Sequence, residues 1–143
     1  MARAPALSDP VRAFLTELNR FAVIATVDPD GGPRQTLTWV TFDDDGNVWV
    51  NSRRGRRWPA NLERDRRAAI AVLDLEDTRC WVGLTCVLEE VVDDVERARE
   101  DIVALAHRYH PEGPDPGDLA AYRTQPRVMF RLRITAVHDH LED

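Results

Sequence analysis

Lysine is absent from this chain of 143 residues: all 19 basic side chains are arginine. This reads as the codon bias of a GC-rich genome more than as selection for guanidinium chemistry. Cysteine is scarce, with only Cys80 and Cys86, so a disulfide-stapled scaffold is excluded. The two lie six positions apart in one apparent strand, which puts them on one face about 20 Å apart, beyond disulfide reach if the strand is straight. No stretch approaches the roughly 18 apolar residues of a membrane span, and the opening MARAPALSDP lacks the apolar core of a signal peptide. The expectation is a cytoplasmic protein with no membrane association.

What is present is an ordinary globular composition, 43% hydrophobic and 31% charged, too apolar for a disordered chain. A chain of this length builds one core, so a single domain over residues 1–143 is expected. The net charge of −6 argues against general nucleic-acid binding, which draws on many basic contacts to phosphate. The charge is unevenly spread. Between Arg53 and Arg67 stand seven arginines and two acids, a local +5 that leaves −11 for the remainder. Such an island is either a solvated helix face, with Arg64, Arg66 and Arg67 pairing to Glu63, Asp65 and neighbours, or an anion site.

Ser8-Asp9-Pro10 is a helix start, and Val11, Phe14, Leu15 and Leu18 follow at helical spacing up to Arg20. Phe21 to Val27 reads as a strand, and the turn-rich segment from Asp28 to Pro33 returns it into a second strand over Gln35 to Phe42. The acidic turn at Asp43 to Asn47 leads into Val48 to Asn51; it lacks the ligand spacing and closing glutamate of a calcium loop. A short helix over Arg56 to Arg64 tolerates Pro59 in its first turn. Strands follow over Ala68 to Leu73 and Trp81 to Val92, where Gly83 marks a bulge or a close backbone approach. The apolar stripe Val95, Ala98, Ile102, Leu105, Ala106 and Tyr109 predicts a helix over Asp93 to Tyr109. A loop, one helical turn over Asp118 to Arg123 and a last strand over Arg127 to Val137 complete the chain. Six strands with few helices between them exclude a doubly wound parallel sheet and favour an antiparallel barrel in a mainly β, α+β fold.

The segment Asn51-Ser52-Arg53-Arg54-Gly55-Arg56-Arg57-Trp58 carries the clearest chemistry. There a strand runs into a polar loop and then a helix start, where unsatisfied N–H groups, a hydroxyl and guanidinium forks suit a phosphate. No GxGxxG or Walker-type motif is present.

These residues, with Phe21 to Thr26, Thr38-Trp39-Val40, Val48 to Ser52, Asn61-Leu62-Glu63-Arg64-Asp65 and Arg127 to Leu132, resemble the pyridoxamine-phosphate-oxidase-like split β-barrels over most of the chain, especially the branch that uses the deazaflavin coenzyme F420. The resemblance implies a six-stranded antiparallel split barrel, homodimeric, with the cofactor in a groove at the dimer interface. It implies that Arg56 and Arg57 hold a phosphate with Ser52 and Asn51 beside it. The backbone of Leu37, Thr38, Trp39 and Val40 would line the reactive edge of the ring, and Trp58 and Asn61 would shape the pocket wall. Arg57 stands where lysine is usual and Leu37 where many relatives have proline. The resemblance leaves F420 and FMN both open as cofactor, F420 being favoured by the short chain and the arginine bias. The function implied is hydride transfer to a small conjugated acceptor; the alternatives are an FMN-binding oxidase or reductase, a non-catalytic cofactor carrier, and a phosphate-ester binding module.

No residue is assigned a catalytic role, because a redox cofactor asks the protein for position and electrostatics rather than an essential acid or base. Tyr109 and Tyr122 are the candidate proton donors. His107 and His110 suit a helix C-terminus, His138 and His140 are expected in an exposed tail, and no metal site is expected. Trp49 and Trp81 are expected to pack, Trp39 and Trp58 to pack or to touch the ring. Cys86 has no activating base in view.

Overall fold

Ser8 starts the first helix as its sequence suggests: its hydroxyl oxygen accepts from the Val11 N–H at 3.3 Å, and Pro10 sits in the first turn. In the computed structural model, which describes residues 5–17 and 19–141, this helix is α1 (Asp9–Thr16) and buries Val11, Phe14 and Leu15. Leu18 lies outside the described residues. The order continues β1 (Phe21–Val27), β2 (Pro33–Thr38), β3 (Val40–Phe42), β4 (Val48–Arg53), α2 (Arg57–Asp65), β5 (Arg67–Leu73), β6 (Trp81–Val92), α3 (Val95–Tyr109), α4 (Pro116–Tyr122) and β7 (Arg127–His140).

All pairings are antiparallel and the sheet runs β2-β1-β5-β6-β7-β4-β3. Its two edge strands are consecutive in sequence, separated only by Trp39. The run expected as one strand from Gln35 to Phe42 therefore divides. Its first half pairs with β1 (Ala22 opposite Thr38) and its second with β4 (Val40 opposite Val50). One strand cannot stay flat against two neighbours around the corner of a curled sheet, so the ladder breaks where it turns. The six expected strands become seven, and at Trp39 the chain passes from one edge of the curled sheet to the other.

Alternation on each strand sends Ile24, Val50, Ile70, Leu84, Phe130 and Leu132 into one core. A smaller cluster, Val92, Ala98 and Met129 with Trp49 against it, seats α3 on the sheet. β6 carries irregularities between Thr85 and Cys86 and between Leu88 and Glu90, which bend it as bulges do. Gly83 is a close approach: a Cβ there would stand 3.1 Å from the Trp81 ring and 3.3 Å from the His138 Cβ. The last strand runs three residues past the expected end. His138 and His140 are paired in it opposite Gly83 and Trp81, their rings stacked with that of Trp81 rather than lying in a tail. Both cysteines are free, and Cys80 precedes β6 rather than lying in it.

Candidate functional site

The basic island divides into two sets. Arg54 pairs with Glu63 at 2.8 Å and with Asp93; Arg64 donates to Asn61 Oδ1 and the Val27 carbonyl; Arg66 donates to the Leu88 carbonyl and Arg67 to Asp65. These four act as a structural helix face. Arg53, Arg56 and Arg57 are exposed, and their side chains make no hydrogen bond or ion pair among the described residues. They flank the start of α2, where Arg56 occupies the cap position in extended conformation and no side chain caps the first turn. The uncapped N–H groups and the positive end of the helix dipole lie at the loop that carries the three arginines.

Gly55 makes this turn with φ +96°, in open space. Gly55→Ala is therefore expected to strain the backbone without a clash. The expected cost is about 1 kcal/mol, read as a small fall in the thermal midpoint.

Beside this loop lies a cleft of about 220 Å³. Phe21, Leu37, Trp39, Ile102 and Leu105 form its apolar wall, and Thr38, Asn51, Arg56, Tyr122 and Arg127 its polar part. Leu37 and Phe21 are 69% and 44% exposed, unusual for large apolar side chains. A second depression around Gly55, Pro59, Glu63 and Arg64 shares Arg56 with it.

Of the residues the resemblance names, Leu37, Thr38, Trp39, Asn51 and Arg56 are brought together on this cleft. The other expected residues have different surroundings. Val40 is buried and its N–H donates to the Tyr109 hydroxyl at 3.2 Å. The buried Ser52 hydroxyl donates to the Arg53 carbonyl at 3.1 Å. Trp58 lies in the core with its ring 6.2 Å from Phe130. Asn61 is buried and donates to Thr26 Oγ1 and Asp28 Oδ1. Arg57 opens α2 beside the cleft but is not on its wall. Sequence reasoning left out Phe21, Ile102, Leu105 and Arg127.

Asn51 joins three elements. Its Nδ2 donates to the Ala98 carbonyl and to Asp101 Oδ2, each at 2.9 Å, and its Oδ1 accepts from Arg127 Nε at 3.0 Å. Arg127 also donates through Nη1 to Gln125 Oε1 at 2.8 Å, with its guanidinium 5.4 Å from the Tyr122 ring. Burial, with Arg56 and Arg53 adding like charge, brings Arg127 down to about 10, so it stays a cation at neutral pH. Burial pushes Asp101 up, against the hydrogen bond from Asn51. Tyr122 is pushed up by burial first and by Asp118 second, and remains a neutral phenol.

Tyr109 is committed elsewhere: its hydroxyl lies 2.9 Å from the Arg20 carbonyl, while its ring stacks on Trp39 at 5.2 Å. Burial pushes the Cys86 thiol up to about 12, which keeps it protonated. The Asp43 carboxylate is filled by the N–H groups of Asp45, Asn47 and Trp49 Nε1. No group of three or more potential metal ligands occurs among the described residues, and no helix there is long and apolar enough to cross a membrane.

The sequence model of the pyridoxamine 5'-phosphate oxidase family matches residues 7–141. No curated protein matches the sequence significantly. Among solved structures, an F420 reductase is similar with a TM-score of 0.75 at 24% identity, covering 88% of this chain and 94% of that one. A conserved protein of Mycobacterium tuberculosis gives 0.68 at 23% identity, over 94% of this chain and 86% of that one. HutZ, the heme storage protein of Vibrio cholerae, gives 0.67 at 17% identity, over 94% and 95%. At these identities the likeness is one of fold.

Proposed function

The chain belongs to the pyridoxamine 5'-phosphate oxidase family, and from that premise we propose that it is an F420-dependent oxidoreductase passing a hydride from the reduced deazaflavin to a small conjugated acceptor. The observation that carries this reading is the uncapped start of α2, with Arg53, Arg56 and Arg57 unpaired around it, opening onto a cleft with an apolar wall. Those donors fit a phosphate-bearing coenzyme, because none of the three side chains makes a hydrogen bond or ion pair among the described residues and all three stand on one loop. The coenzyme, when bound, supplies the hydride.

The chain's part is placement. Arg56 and Arg57 hold the phosphate, the bend at Leu37, Thr38 and Trp39 presents backbone and apolar surface to the ring, and the wall formed with Ile102 and Leu105 keeps water out. In this reading a second copy of the chain covers Phe21 and Leu37 and completes the groove, giving a homodimer.

Titration of the purified protein with F420 and, separately, with FMN, followed by fluorescence, tests the proposal. F420 is expected to bind. Arg56→Ala and Arg57→Ala are each expected to weaken it roughly tenfold to a hundredfold, the worth of a hydrogen bond to a charged group. Selective binding of FMN would move the protein to the flavin-dependent oxidases and reductases. Tight F420 binding without turnover of any acceptor would make it a carrier, and binding of neither cofactor would leave the arginines a solvated surface.

A further inference from the structure

Arg127 is 7% exposed, yet no carboxylate among the described residues is hydrogen-bonded to it. Its two partners, Asn51 Oδ1 and Gln125 Oε1, are neutral amides. They leave three of the five donors of a guanidinium uncommitted among the described residues, two of them on Nη2. Asp101 acts on it only at longer range: its Oδ2 accepts from Asn51, and burial shifts it toward the neutral acid. Arg56 and Arg53 add repulsion. A buried cation without a counter-ion is costly, and this one lies on the wall of the cleft, where an anion can reach it.

We propose that Arg127 is an anion subsite of the cleft that takes the carboxylate of the acceptor, so that the substrates are small unsaturated or aromatic acids rather than neutral molecules. The acceptor part rests on the oxidoreductase reading above; the anion subsite does not. Carboxylate is favoured over phosphate because a planar carboxylate matches the free Nη edge of a guanidinium fork. Phe21, Leu37, Ile102 and Leu105 offer the hydrocarbon body an apolar wall.

The test uses three probes, benzoate, its neutral isostere benzamide and phenyl phosphate. Each is titrated by saturation-transfer NMR into cofactor-free protein and into protein saturated with F420. Benzoate is expected to bind at least tenfold more tightly than benzamide and more tightly than phenyl phosphate. Gln125→Glu places an internal carboxylate at the atom 2.8 Å from Arg127 Nη1; it is expected to weaken benzoate about tenfold while the thermal midpoint holds or rises, a pattern a purely structural arginine would not produce. Arg127→Lys, which keeps charge but loses the fork, is expected to weaken benzoate as well.

Equal affinity for benzoate and benzamide, or benzoate binding untouched by Gln125→Glu, overturns the subsite. Tighter phenyl phosphate overturns the choice of carboxylate. Benzoate is expected to bind the F420-saturated protein too; mutual exclusion overturns the assignment to the acceptor. If neither F420 nor FMN binds while benzoate behaves as expected, the subsite stands and the oxidoreductase reading, with the acceptor role, falls.

Discussion

Alanine at Asn51 is expected to lower the unfolding free energy by about 3 kcal/mol, a large fraction of the roughly 5–15 kcal/mol that holds a domain of this kind together. The side chain is buried and makes three hydrogen bonds, to the Ala98 carbonyl, to Asp101 and from Arg127 Nε. Two lost donor bonds contribute about 1 kcal/mol each. The remainder comes from Arg127, whose Nε would face a cavity with no acceptor while still charged. Urea unfolding should show a lower midpoint at unchanged slope, and the thermal midpoint should fall by about 10 °C. A loss under about 1 kcal/mol would mean that these bonds are not made in solution. Because the same amide fixes Arg127 against the cleft, binding at that wall should weaken along with stability.

The helices were legible where local chemistry decides them: Ser8 and Pro10 start α1, and the stripe from Ala98 to Ala106 writes α3. The break at Trp39 was not, because it comes from curvature of the whole sheet and both halves of the run alternate as one strand would. Of the residues that the family resemblance singled out, Leu37, Thr38, Trp39, Asn51 and Arg56 line the cleft.

The rest was hidden for physical reasons. Ile102 and Leu105 look like core positions of an amphipathic helix, and they are buried; that they also edge a cleft depends on what the sheet leaves open. Arg127 alternates in phase with Arg131 and Arg133, which pair with Glu89 and Glu90 in the part-exposed network expected of such residues. Only the packing of α3 and α4 against β7 distinguishes the buried arginine from them. Residue type could not tell which side of the barrel Trp58, Asn61 and Ser52 face, and in this fold all three are buried as part of its framework.

The core position with the largest expected effect is Phe130. It is 0% exposed, lies in register between Val50 of β4 and Val91 of β6, and meets the ring of Trp58 from α2. Phe130→Ala is expected to cost about 4 kcal/mol, the lost transfer energy of the ring plus the cavity left behind. Leu37→Ala, at a side chain 69% exposed, should change stability by less than about 0.5 kcal/mol. Chemical denaturation of both variants checks the contrast, and a cost below about 2 kcal/mol at Phe130 would mean that the site collapses onto the gap. The functional consequence follows from Trp58, which lies in the first turn of α2 directly after Arg56 and Arg57. With Phe130 gone, the ring against which Trp58 seats that turn is lost. On the proposed F420 reading, affinity for that coenzyme should then fall several-fold at temperatures where the variant is still folded, although none of the arginines has changed. Unchanged affinity in a variant destabilised as expected would show that the helix start is held by the Arg54 pairs to Glu63 and Asp93 instead.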